Sequence, residues 1–170
     1  MKVAVRTDAS IQMGTGHVMR CLTLADALKQ EGAAVQFVCR DHDGHLGGVI
    51  SQKGYNVHLL SSGSSRQEDP GPTKAILRAM GKPDWLIVDH YGLDLGWEAA
   101  VKSCADRLMV IDDLASRPHL CDLLLDQNLV QNMHSRYNGL VPQSCQCLLG
   151  PAYALLHPVY SRVRARVMPR

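Results

Sequence analysis

This sequence predicts an α/β fold built on a mainly parallel sheet with helices on both faces. Short apolar or β-branched runs alternate with amphipathic segments, the order that parallel neighbours need because each pair requires a crossover connection. Three segments place polar or glycine-rich residues where a strand ends: Asp8 to His17, Asp89 to Tyr91, and Asp112 to Asp113. Sheets of this kind bind ligands at that edge. The length of 170 residues, with 46% hydrophobic and 20% charged, fits one globular domain with a full core.

Taken in order, residues 2 to 7 (KVAVRT) read as the first strand, stopped by polar residues. From His17 onward, Val18, Cys21, Leu22, Ala25 and Leu28 recur at spacings of three and four, predicting a helix that ends near Gly32. A strand at 35 to 39, a weaker helix at 46 to 53 closed by Gly54, and a strand at 56 to 60 follow. Residues 61 to 72 (SSGSSRQEDPGP) lack apolar periodicity and read as a mobile surface loop. A helix is expected over 73 to 80, a strand over 85 to 88, a helix over 95 to 105 and strands over 108 to 113 and 122 to 128. A last apolar piece lies near 147 to 149, after an irregular polar stretch.

Composition excludes several classes. A formal charge of +2 with 5% aromatic residues leaves no electrostatic footprint for nucleic acid and few stacking platforms. The basic run Arg162, Arg164, Arg166 and Arg170 reads as a solvated tail. No apolar stretch approaches the length of a membrane span, and the N-terminus lacks the apolar stretch of a secretory signal. The expectation is a cytoplasmic protein with neither membrane nor nucleic-acid partner. The six cysteines form no C-x-x-C pair, and the spacings His119-x-Cys121 and Cys145-x-Cys147 match no standard zinc pattern. Reduced thiols and no metal are expected.

The chemistry points to Gly14-Thr15-Gly16-His17. Gly14 and Gly16 allow a sharp turn and close approach of a ligand, and the helix that follows presents unpaired N–H groups to negative charge. The third glycine of a dinucleotide fingerprint is replaced by Met19, so no nicotinamide or flavin cofactor is expected, and a P-loop is absent as well. His17 is either a helix residue with no task or a proton acceptor whose ring can face the crevice, since imidazole titrates near neutral pH and a helix N-terminus favours its neutral form. Arg20, one turn on, is either a bidentate anion holder or a surface arginine. Arg6 and Asp8 lie beside the same edge, with Asp8 either orienting His17 or capping the turn. Asp89, His90 and Asp113 join them as candidate binding residues, and Tyr91 either offers a hydroxyl to a sugar or a water or packs over the sheet edge.

The strings RTDASIQMGTGHVMR, VDHYGLD, VIDDLASRPHLCDLLLDQN and LLGPAYALL together resemble the nucleotide-sugar hydrolases that release UDP from UDP-2,4-diacetamido-2,4,6-trideoxy-β-L-altropyranose in pseudaminic acid biosynthesis. Spore-coat polysaccharide proteins share the pattern. The resemblance implies a Rossmann-like N-terminal half of a GT-B-type enzyme and inverting attack of water at the anomeric carbon without a metal or cofactor. By the same resemblance His17 and Tyr91 are the catalytic residues. It further implies a domain over residues 1–155, a hinge or tail over 156–170, and a C-terminal nucleotide-binding domain, in cis or in trans, that supplies most of the UDP pocket. Negligible hydrolysis by this chain alone is therefore expected.

Overall fold

The computed structural model describes residues 1–63 and 68–164. Seven strands form one sheet: β1 (Lys2–Thr7), β2 (Ala34–Arg40), β3 (Asn56–Leu60), β4 (Trp85–Asp89), β5 (Arg107–Ile111), β6 (Leu123–Asp126) and β7 (Gln146–Leu149). Their order is β3-β2-β1-β4-β5-β6-β7, and all six neighbouring pairs are parallel. The sheet is α/β and Rossmann-like, with order reversing between β1 and β4. That reversal places the loops after β1 and β4 side by side at the crevice where such sheets take ligands.

Alternation along the strands divides the core. Val3, Val5, Phe37 and Ile87 pack with Val18, Cys21, Leu22 and Ala25 of α1 (Gly16–Gln30) and Ile50 of α2 (Gly47–Gln52). Ala4, Leu86, Val88 and Leu108 turn the other way, onto Leu77 of α3 (Pro70–Ala79) and Trp97 and Val101 of α4 (Leu95–Val101). Successive strand residues face opposite sides, so each half of the alternation buries its own pair of helices. A short α5 (Val159–Arg164) ends the described chain.

Two expectations change. Residues 70–72 belong to α3 rather than to a surface loop, because Pro70 sits in the first helical turn, where its missing N–H costs nothing; residues 64–67 of the predicted loop lie outside the described residues. Beyond β5 the crossovers contain no helix in 112–122 or 127–145. Polar side chains hold them instead. The Tyr137 hydroxyl, 3% exposed as a residue, lies 3.0 Å from Asp112 Oδ2 and 3.2 Å from Asp126 Oδ2. Arg136 donates to Asp126 Oδ2 and to the Asp113 carbonyl. The predicted basic tail falls largely outside the described residues, since 165–170 and the side chains of Arg162 and Arg164 are not described.

Candidate active site

The turn after β1 is built around Gly14, whose φ of +75° suits glycine and whose N–H donates to the Ser10 carbonyl. Gly16 differs: its φ is ordinary, and a Cβ placed there would meet no protein atom within 4 Å. Nothing in the fold demands glycine at that position. α1 begins there with Thr15 as N-cap, no side-chain cap and no acid in its first turn, so its first N–H groups lack the usual side-chain partners.

His17 and Asp89 meet because β1 and β4 are neighbours, in a register that pairs Thr7 with Asp89. His17 Nδ1 lies 2.6 Å from Asp89 Oδ1, and Asp89 is wholly buried. Arg20 grips the same carboxylate with two prongs, Nε to Oδ2 at 2.5 Å and Nη2 to Oδ1 at 2.6 Å, and reaches Asp113 Oδ2 at 3.1 Å with Nη1. The Cys21 thiol adds a weak donor to Asp89 Oδ2. Burial alone would raise the Asp89 carboxyl, but the Arg20 and His17 bonds outweigh it and hold it below the ordinary carboxylate range. Arg20 Nη2 also comes within 3.2 Å of His17 Nδ1, but it donates at 2.6 Å to Asp89 Oδ1, and the closer ionised Asp89 accepts a proton-bearing Nδ1, which leaves the lone pair on Nε2. That nitrogen makes no hydrogen bond among the described residues. The Tyr91 ring stands edge-on to His17, centroids 4.5 Å apart, and is itself exposed. Its hydroxyl is raised, first by partial burial and then by the Asp113 carboxylate.

Arg6 and Asp8 form a second cluster. Arg6, wholly buried, donates to Asp8 Oδ1 at 2.5 Å and Asp69 Oδ2 at 2.8 Å. Asp69 also accepts from the Arg40 guanidinium, from Trp97 Nε1 at 2.7 Å and from the Thr73 hydroxyl. Asp8 takes the Arg40 backbone N–H at 2.6 Å, and its Oδ2 lies 3.3 Å from His90 Nε2. His90 Nδ1 accepts from the Gly92 N–H, which puts the ring's own proton on Nε2, toward Asp8. A cleft of about 300 Å³ opens over this group, lined by Asp8, Ser10, Met13, Arg40, His42 and His90 among others.

The predicted site residues thus fall into two sets. His17, Arg20, Asp89, Tyr91 and Asp113 converge with Gly14 and Gly16; Arg6, Asp8 and His90 belong to the neighbouring cluster. Asp8 makes no hydrogen bond to His17; Asp89 holds that position. Arg20 is neither a surface residue nor an uncommitted anion holder, since its prongs are spent on carboxylates. Sequence reasoning misses Asp69, which falls within the predicted loop; Asp before Pro at a helix start is the available signal. It also misses the buried pair of Glu98 and His119, joined Oε1 to Nδ1 at 2.6 Å. Among the described residues, no group of three or more His, Cys, Asp or Glu is arranged to hold a metal ion, and no helix is long and apolar enough to cross a membrane.

No protein-family model matches the chain. It is 36% identical over 157 residues, 92% of its length, to the UDP-2,4-diacetamido-2,4,6-trideoxy-beta-L-altropyranose hydrolase of Campylobacter jejuni, of which it covers 52%. It is 23% identical over its whole length to an uncharacterised protein of Methanocaldococcus jannaschii, of which it covers 34%. The chain spans about half or less of the length of these relatives. Among solved structures, MurG of Acinetobacter baumannii superposes with a TM-score of 0.58 at 8% identity, over 87% of this chain and 44% of that one. That likeness shows the fold alone. In sequence, the chain is similar along nearly all its length to about half of a UDP-sugar hydrolase.

Proposed function

We propose that this chain is the base-bearing half of a nucleotide-sugar hydrolase, releasing UDP from a UDP-linked 2,4-diacetamido-2,4,6-trideoxy sugar in pseudaminic acid biosynthesis once a nucleotide-binding half closes over it. The observation that carries the reading is the pairing of His17 with a buried, arginine-clamped Asp89 at the sheet's carboxyl edge, within a chain similar to such a hydrolase.

In the proposed reaction His17 Nε2 removes a proton from water as the water oxygen bonds to the anomeric carbon from the face opposite the diphosphate. The bond from that carbon to the diphosphate oxygen breaks, UDP departs with the electron pair, and configuration inverts. Asp89 keeps the imidazole in the tautomer that can accept the proton and stabilises the imidazolium that forms. Tyr91, beside His17, orients the water or a sugar hydroxyl. The segment read as a hinge or tail would connect this half to the nucleotide-binding half, supplied in cis or in trans. Exposed Ile11, Met13, Met19, Tyr91 and Leu114 give that half an apolar rim at the catalytic edge.

The test is UDP release from the sugar nucleotide by the chain joined to a nucleotide-binding half, measured with and without the substitution His17→Ala. Release that falls at least about 10²-fold in the substituted form supports the reading; equal rates overturn it. Transfer to an added sugar acceptor that outruns release to water would make the chain half of a glycosyltransferase instead.

A further inference from the structure

Far from the catalytic edge, three cysteines gather where β6 and β7 begin. Cys121 Sγ lies 3.6 Å from Cys145 Sγ, in van der Waals contact. Cys121 is buried, whereas Cys145 and Cys147 are half-buried and line an open cleft of about 470 Å³ with His134, Tyr137 and Pro142. The geometry separates the possible pairs. Cys121 and Cys145 closely precede two adjacent parallel strands tied by the Gln146 N–H to the Asp122 carbonyl at 3.0 Å. Cys145 and Cys147 flank Gln146, and residues two apart along extended chain are separated by roughly 6.6 Å, at the far end of the span a disulfide bridges. Burial raises the Cys121 thiol. Cys147 is pushed up to about 11, by burial first and then by Cys145. Neither is suited to be the thiol that first meets an electrophile, which leaves the reachable Cys145.

We propose that this cluster is a thiol–disulfide exchange site, in which Cys145 takes a small disulfide from the cleft and Cys121 resolves it into a Cys121–Cys145 bridge. Cys145 thiolate attacks one sulfur of a low-molecular-weight disulfide RSSR, forming Cys145–S–SR and releasing one thiolate. Cys121 sulfur then attacks Cys145 Sγ, the second RS group leaves, and the Cys121 proton ends on it. The balance is two protein thiols plus RSSR giving one protein disulfide plus two RSH. The bridge fastens the edge strand β7 to β6.

The experiment treats the folded chain with glutathione disulfide and maps its cysteines by mass spectrometry without reduction. The expected result is an intact mass lower by two hydrogens, with a peptide pair linked through Cys121 and Cys145, while Cys21, Cys39 and Cys104, all buried, stay free. In Cys121→Ala the Cys145 mixed disulfide with glutathione accumulates, and in Cys145→Ser both products vanish. A Cys145–Cys147 bridge, a glutathione adduct that persists on Cys145 in the unaltered chain, or no modification overturns the proposal. The mapping of the unaltered chain stands by itself if either variant fails to fold.

Discussion

Two polar clusters sit side by side at the carboxyl edge of this sheet, and they differ in what they leave open. Around Arg6, both guanidinium prongs and both oxygens of Asp69 are consumed by partners inside the fold. Around His17 the same materials, an arginine and a buried aspartate, fix one face of an imidazole and leave Nε2 without a hydrogen bond among the described residues. An ion network turned in on itself makes a rigid floor, although Arg6 Nε goes without a hydrogen bond among the described residues. An ion pair that spends itself on orienting a third group makes a tool. The difference arises from register: β1 carries Arg6 inward toward α3, while Asp89 ends β4 directly below the start of α1.

The largest effects should separate the clusters by kind. Removing the base with His17→Ala should lower UDP release about 10²- to 10⁴-fold in the two-half form, and it should cost about 1–3 kcal/mol of stability because buried Asp89 loses one partner. Asp89→Asn should lower kcat by about 10²-fold or more, since an amide can support the wrong tautomer, and should also destabilise the chain because Arg20 loses one of its two carboxylate partners, keeping only Asp113. Asp69→Asn should do the opposite: a loss of about 3–5 kcal/mol in stability, from a buried pair broken on one side, read by urea denaturation, with the pH dependence of any activity unchanged. If Asp69→Asn moved the pH profile and Asp89→Asn did not, the division of labour would be reversed.

A pH experiment sharpens the claim that buried pairs in this chain are structural. Burial disfavours the charged form of His119, but Asp112 and Glu98 overcome it and push the ring up to about 9 from the ordinary 6.5. A pKa raised on folding contributes stability fully below pH 6.5 and loses it as pH rises through about 9. Stability should therefore fall by up to about 3 kcal/mol over that window. Glu98→Gln should flatten the fall in urea titrations at several pH values.

The smallest effect concerns the turn. Gly14→Ala should cost about 1–2 kcal/mol through its positive φ, whereas Gly16→Ala, at a helix start with open space around it, should be neutral or stabilising by under about 1 kcal/mol. Activity lost in Gly16→Ala without loss of stability would mean that a ligand, not the fold, needs the missing side chain.

Much of the architecture was legible because strand periodicity is local: β1 and β3 match their expected ranges, and α1 follows its apolar stripe. The exchange of roles between Asp8 and Asp89 was not legible. Asp8 stands far closer to His17 along the chain than Asp89 does, and only the β1–β4 pairing brings the distant one into contact. Asp69 was hidden for a related reason: polar composition around it suggested solvent, while its partners Arg6, Arg40 and Trp97 come from three other elements. The helix-free crossovers after β5 depend on Tyr137 and Arg136 finding Asp112 and Asp126, which no periodicity announces.

The central claim is that Asp89 sets His17 with its proton on Nδ1 and its lone pair on Nε2. Nitrogen-15 NMR of the imidazole in the folded chain, at a pH where the ring is neutral, reads this directly. The expected spectrum shows a protonated Nδ1 and a bare Nε2, an arrangement lost in Asp89→Asn; a proton resident on Nε2 in the unaltered chain would contradict it.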